Sequence, residues 1–351
     1  APVSLTNSVV SNFGTGVDIN ADSDLTMVLG EIRDIVGDGI NIASTTGSSG
    51  SAVLTGVRIA DITGTGINTT GVPLGGTLRG GRGGAVSLIN SRLTNIGEIG
   101  IVGSNIGTPA TGDLILLQGT SIDTAANGGI LVTDSNLRVE GSSLQNSRIF
   151  DSGPFGIESV AASTVLIDST QISGATVGIR ADATEALSWP TPPNTYFNSL
   201  TANNNSISAA GTGIVLVGYL STTGIVPGVT VDSQGIVQAE LTLNDLSGSG
   251  AQNATSGGNS IQLTTTGGIV GVVPDDGPAQ PPQVTGGLID VFGSAGRPQG
   301  LIIRAANRLN LSALNANAAV TETPDPPQPE TSTTSVSYDA GRNIPQPPRA
   351  P

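Results

Sequence analysis

Carboxylates and guanidinium groups are the reactive side chains this sequence offers. It holds 27 Asp and Glu and 13 Arg, with no Lys, His or Cys. Asp123, Asp134, Asp151, Asp168 and Asp182 recur through its middle, with Arg148 and Arg180 among them. Two carboxylates roughly 5–9 Å apart can run acid–base chemistry on a glycosidic bond, and residues on neighbouring turns of a repeat can supply that spacing. One or two acids per repeat is also what a solvated outer face offers, and the plainer reading places these residues in turns. Asp18, Asp22 and Asp24 resemble a loose set of Ca²⁺ oxygen ligands. Asp275-Asp276 is the one Asp-Asp pair, in a Pro-flanked loop. No catalytic residue, metal ligand or cofactor is assigned.

The missing residue types exclude whole classes of function. Zinc sites built on His and Cys cannot form within the chain. Nor can Ser-His-Asp or Cys-His pairs, or a Lys Schiff base. With a net charge of −14 and a pI near 4.1, the chain is a poor partner for nucleic acid. Charged residues are 11% of the chain, against roughly 25% in an ordinary domain. No run approaches the ~18 apolar residues of a membrane span. The opening Ala1-Pro2 lacks a basic and apolar leader, so any signal peptide is expected to have been removed. An acidic, Lys-free, Ser/Thr/Asn-rich surface points to the outside of a bacterial or archaeal cell.

A repeat supplies the elements that must hold these side chains. Gly-x-Gly-Ile/Val returns at Gly14-Thr-Gly-Val17, Gly37-Asp-Gly-Ile40, Gly64-Thr-Gly-Ile67 and Gly211-Thr-Gly-Ile214. Variants end at Ile101, Ile130, Ile157, Ile179, Ile261 and Leu301. A β-branched or Leu-rich run precedes each landmark by 13–20 residues, starting at Val3, Leu25, Val53, Val86, Leu114, Leu137, Val165, Leu200, Leu241 and Leu288. A second apolar pulse, as at Ile32, Ile59, Leu93, Ile122, Ile172 and Ile207, falls between run and landmark. That makes about ten units of three short strands. Strands of this length cannot bury a face alone, but stacked as coils they share one core. The expected fold is all-β, a parallel β-solenoid of about ten coils over residues 1–320, roughly 50 Å long at ~4.8 Å per coil.

In these units the chain resembles the right-handed parallel β-helix (pectin-lyase-like) superfamily, closest in character to autotransporter-passenger and filamentous-haemagglutinin-type extracellular proteins. The superfamily also holds pectate lyases, polygalacturonases and phage tailspikes, so it implies the fold and leaves the function open. Polygalacturonase-type catalysis would need Gly-His-Gly and Arg-Ile-Lys motifs, which a chain without His and Lys lacks. Pectate-lyase-type chemistry would use acids such as Asp123 to Asp182 with Arg148 or Arg180.

Insertions lengthen after the landmark strand. The seventh carries Trp189, Tyr196 and Phe197, three of nine aromatics, read as loop anchors or a subunit contact. The segment 214–237 reads as a hairpin leaving the rod, and 269–273 as a further strand. Gly75 to Gly84 is a flexible insertion bearing Arg79 and Arg82. Residues 321–351 are Pro-rich and read as an extended tail pinned to a protein surface.

The expectation from sequence is therefore a non-enzymatic extracellular structural or adhesive β-helix. It would be a subunit of a cell-surface filament, fibre or surface layer, with itself as homo-oligomeric or filament partner. A surface polysaccharide is a further partner; nucleic acid and a membrane span are not. The alternatives are a polysaccharide-active lyase or hydrolase using Asp/Glu and Arg near the long loops, and a phage fibre segment. An enzyme would show itself by two or three carboxylates and an Arg converging within ~6 Å.

Overall fold

A computed structural model describes residues 2–20, 23–45, 50–73, 81–107, 114–143, 145–183, 194–210, 212–221 and 233–242, with short strands between 261 and 343. Every regular element among them is a strand. Coil by coil, a first strand (Val3–Thr6, Asp24–Val28, Ser51–Thr55, Ala85–Ile89 and onward) leads to a second and then a third. Each strand pairs in parallel with its counterparts in the coils before and after. Three parallel sheets result, and the chain is a right-handed parallel β-helix. The first-strand sheet has ten strands in this column, the second eight and the third eleven among the described residues.

The landmark residues are the third strand's register. Val17, Ile40, Ile67, Ile101, Ile130, Ile157, Ile179, Ile214, Ile261 and Leu301 form one unbroken column of Cα partners. Val320 follows as an eleventh, in the strand Ala319–Thr323. The isoleucines from Ile40 to Ile214 are buried in a single continuous core with the inward residues of the other two sheets.

The glycine before each landmark from Val17 to Ile179 is required by close approach between coils. A Cβ on Gly66 would stand 2.5 Å from the Gly100 carbonyl oxygen, and one on Gly100 would stand 2.6 Å from that of Gly129. That oxygen is occupied, because the landmark N–H of one coil donates to the glycine C=O of the next, as from Ile40 to Gly66 at 3.0 Å. A side chain there would break the ladder it sits in.

The register settles which residues of two apolar runs face inward. Ala52 and Leu54, not Val53, face the core in the third coil, so Val53 points outward and is 40% exposed. Likewise Ile115 and Leu117, not Leu114, carry the fifth. Both runs begin one residue away from the inward position, and a one-residue slip reverses a strand's faces.

The corner between first and second strands is closed by left-handed residues at Asn7, Leu29, Gly56, Asn90, Gly119, Ser169 and Asn204. Just inside it runs a buried hydroxyl ladder. The Val57 N–H donates to Ser91 Oγ (3.1 Å), Ser91 N–H to Thr120 Oγ1 (3.3 Å) and Thr120 N–H to Ser147 Oγ (3.2 Å). These side chains satisfy backbone donors that the tight turn takes out of the sheets.

Insertions leave from the corner between third and first strands. Val72–Pro73 and Gly81–Arg82 pair as a small hairpin there. The hairpin expected at 214–237 is present: Thr212–Ser221 and Ser233–Thr242 pair antiparallel at Tyr219↔Gly235 and Ser221↔Ser233. Their rod-side halves stay parallel to the neighbouring coils. In the tail, Val336–Ser337 pairs antiparallel with Ala319–Thr323, and Arg342–Asn343 with Asn315–Ala316. The strand read at 269–273, Trp189, Arg79 and Asp275-Asp276 lie outside the described residues.

Gly100→Ala is expected to cost about 1–3 kcal/mol through overpacking. Gly14→Ala, whose Cβ would meet nothing within 4 Å, should change stability by less than about 0.5 kcal/mol. Denaturant midpoints of the two variants check the contrast.

Candidate functional site

The third-strand sheet turns its even positions outward. The residue after each landmark therefore builds an outer column: Asp18, Asn41, Asn68, Val102, Leu131, Glu158 and Arg180. At its amino-terminal end the column is an amide–carboxylate mesh. Asn20 and Asn41 donate to Asp18 at 2.8 and 2.9 Å, and Asn68 donates to Asp38 at 3.2 Å.

At the other end two acids from neighbouring coils meet one guanidinium. Arg180 Nε lies 3.3 Å from Glu158 Oε1 and 3.1 Å from Asp182 Oδ2, and its Nη2 lies 2.5 Å from Asp182 Oδ2. With both oxygens on the same nitrogen, the carboxylates stand within the roughly 9 Å reach of glycoside-hydrolysing pairs. Asp182 is 7% exposed and Glu158 17%, so the acids are sheltered while the arginine reaches outward.

A buried polar network fixes this triad from below. Asn198 Nδ2 donates to the Ser159 carbonyl (3.0 Å) and the Asp182 carbonyl (3.4 Å), and Ser159 Oγ donates to Asn198 Oδ1 (3.0 Å). Ala161 N–H donates to the Asp182 carbonyl at 2.9 Å. Asn198 and Ser159 are both buried. Asp182 ends its strand at the corner from which the insertions leave, beside Asn194–Asn203 and Thr212–Ser221, each ten residues long where earlier coils use four to six.

The other sequence candidates have separate duties. Asp123 pairs with Arg92 at 2.8 Å, and Asp134 accepts from the Ala162 N–H at 3.0 Å. Asp151 occupies a left-handed turn position. Asp168 accepts from Asn203 at 2.9 Å, and Arg148 lies over the Phe150 ring at 4.4 Å. Glu140 stands in register with Asp168 but is held by its own partners, Arg138 and Gln118. Asp24 accepts from Ser51 at 2.6 Å, and Asp22 lies outside the described residues. Among the described residues, no three acids gather as a metal site would require. On the second-strand sheet Arg33 also meets two acids, Glu31 and Asp34, but both come from its own strand and are 28% and 42% exposed.

Sequence reasoning missed Glu158. The signal was present in the alignment of landmarks: Ile157-Glu158 and Ile179-Arg180 place both side chains at the same step of adjacent coils.

No family model matches the chain, and no curated protein matches it in sequence. Solved structures of similar fold include tailspikes of E. coli bacteriophage HK620. One, a mutant in complex with a hexasaccharide, is 12% identical, with 97% of this chain and 58% of that chain covered and a TM-score of 0.42. Another, in complex with a pentasaccharide, is 12% identical over 93% and 54%, with a TM-score of 0.38. The periplasmic alginate epimerase AlgG is 9% identical over 81% and 76%, with a TM-score of 0.21. This chain spans a little over half the length of the tailspike chains. No helix in the described residues is long and apolar enough to cross a membrane.

The expectation of a chain without enzymatic activity is corrected by the geometry of this site. The physical reason is that the loss of His, Lys and Cys removes some catalytic routes but not the carboxylate route, and two acids with an Arg do converge.

Replacing Arg180 by Met should destabilise the protein by about 1–3 kcal/mol, since it leaves sheltered carboxylates without their charge partner. Adding Asp182→Asn to Arg180→Met should recover part of that loss. A double-mutant cycle on unfolding midpoints measures the coupling.

Proposed function

We propose that this chain is an extracellular polysaccharide-active β-helix whose acid pair is Glu158 and Asp182, with Arg180 orienting both. The observation that carries the reading is the convergence of two sheltered carboxylates from adjacent coils on one guanidinium. In hydrolysis one carboxyl gives its proton to the glycosidic oxygen as the C–O bond breaks. The other, as carboxylate, attacks the anomeric carbon or takes a proton from the attacking water. The outer column along the same sheet, amide-rich at Asn41 and Asn68 and apolar at Val102 and Leu131, offers a track one coil per step for a linear chain. The acidic, Lys-free composition supports work outside the cell. In the same reading the chain acts as part of an assembly of identical copies at a cell or particle surface, with surface polysaccharide as its ligand.

The test is incubation of the full chain with neutral, uronic-acid and amino-sugar polysaccharides, following polymer length and new reducing ends. One class should be shortened. Glu158→Gln and Asp182→Asn should each slow that cleavage by roughly 10²–10⁴-fold, while Glu31→Gln on the second-strand sheet leaves the rate unchanged. Failure to cut or bind any polymer, or variants as active as the parent, would overturn the assignment.

A further inference from the structure

The three faces of the rod differ in charge and in shape. Among the described residues, the second-strand sheet carries four arginines, Arg33, Arg58, Arg92 and Arg148, against four acids, so it is neutral. The eight coils of the first- and third-strand sheets each carry one arginine against three acids. On a molecule of net charge −14, the second-strand sheet is the face where two copies meet least repulsion. Its charge is graded along the rod: one register column runs Glu31, Arg58, Arg92, Ser121 and Arg148, with Asp34 and Asp61 on the strands at its amino-terminal end and Asp123 paired with Arg92. A two-fold contact of such a face against itself sets arginines opposite acids.

Shape and hydrophobicity agree. Apart from residues 141–146 the corners beside this sheet are short, and the long insertions leave from the opposite edge, so the sheet presents eight strands over about 34 Å. Of six exposed large apolar residues among those described, four lie in this sheet or beside it: Val9, Phe13, Leu29 and Val36. These four lie in the first two coils, so the charge-balanced face ends in an apolar patch, a composition suited to a contact surface.

We infer that the second-strand sheet is an isologous interface with a second copy of this chain. The inference deepens the proposed assembly by naming its face, and it leaves the insertion corner and the Glu158–Arg180–Asp182 site open on the outer side of the dimer.

Sedimentation of the full chain across a concentration series tests it. The parent should form a dimer. The double variant Arg58→Glu/Arg92→Glu should raise the dimer dissociation constant at least tenfold, with circular dichroism showing the fold retained. Arg138→Glu, on the first-strand sheet, should dimerise like the parent. As a variant that spares the ion pairs, Val9→Ser should also weaken the dimer. A monomeric parent would overturn the assembly itself, and one that instead gains mass with a polyanionic glycan would give the face to that ligand. A trimer or filament, or a dimer unmoved by the second-strand-sheet variants, would overturn this face while leaving an assembly by another surface.

Discussion

Coil-to-coil contact at the entry to the third strand is the constraint on which the rest depends. There the backbones approach so closely that the glycine carbonyl of one coil fills the space a Cβ would need on its neighbour. The same carbonyl accepts the N–H of the neighbour's landmark residue. Position, register and spacing are thus set at one point per turn. The inward isoleucine that follows then falls above its counterpart throughout the described coils. A stack held this way tolerates change elsewhere, since insertions at another corner leave the ladder untouched.

That tolerance is how the candidate site arises. Each coil presents the residue after its landmark on an outer column, so neighbouring coils bring distant residues within contact at no cost to the core. Glu158 and Arg180 meet through this geometry. Asp182 joins two residues later, where the strand reaches the insertion corner and Asn198 closes beneath it. A rod that looked suited only to holding shape therefore also holds charged groups at fixed mutual distances, which is the requirement for acid–base work on a polymer.

Polar groups elsewhere are spent on the stack itself. The buried hydroxyls of Ser91, Thr120 and Ser147 accept backbone N–H bonds at the first corner. Asp134 caps the Ala162 N–H, and Asp123 neutralises Arg92. Most of the acids that looked available for chemistry are therefore turn and surface groups, as their number per repeat had implied. The site differs from them in joining acids of two coils on one cation under shelter.

The sequence by itself determined the repeat, the parallel β-helix and the third-strand register, because only glycine fits the close approach and its position is therefore visible in the letters. It also determined the hairpin at 214–237, through two apolar runs around a turn. It located the runs starting at Val53 and Leu114 but not their inward residues, since a run of consecutive apolar residues does not say which of them faces inward, and the neighbouring coil decides. Only the tertiary structure brings Asp182 and Arg180 into contact with Glu158 and gives Asp123, Asp134 and Asp168 other partners. Whether two side chains meet across coils depends on the outward step each occupies and on what lies beneath, and both follow from stacking rather than from distance along the chain.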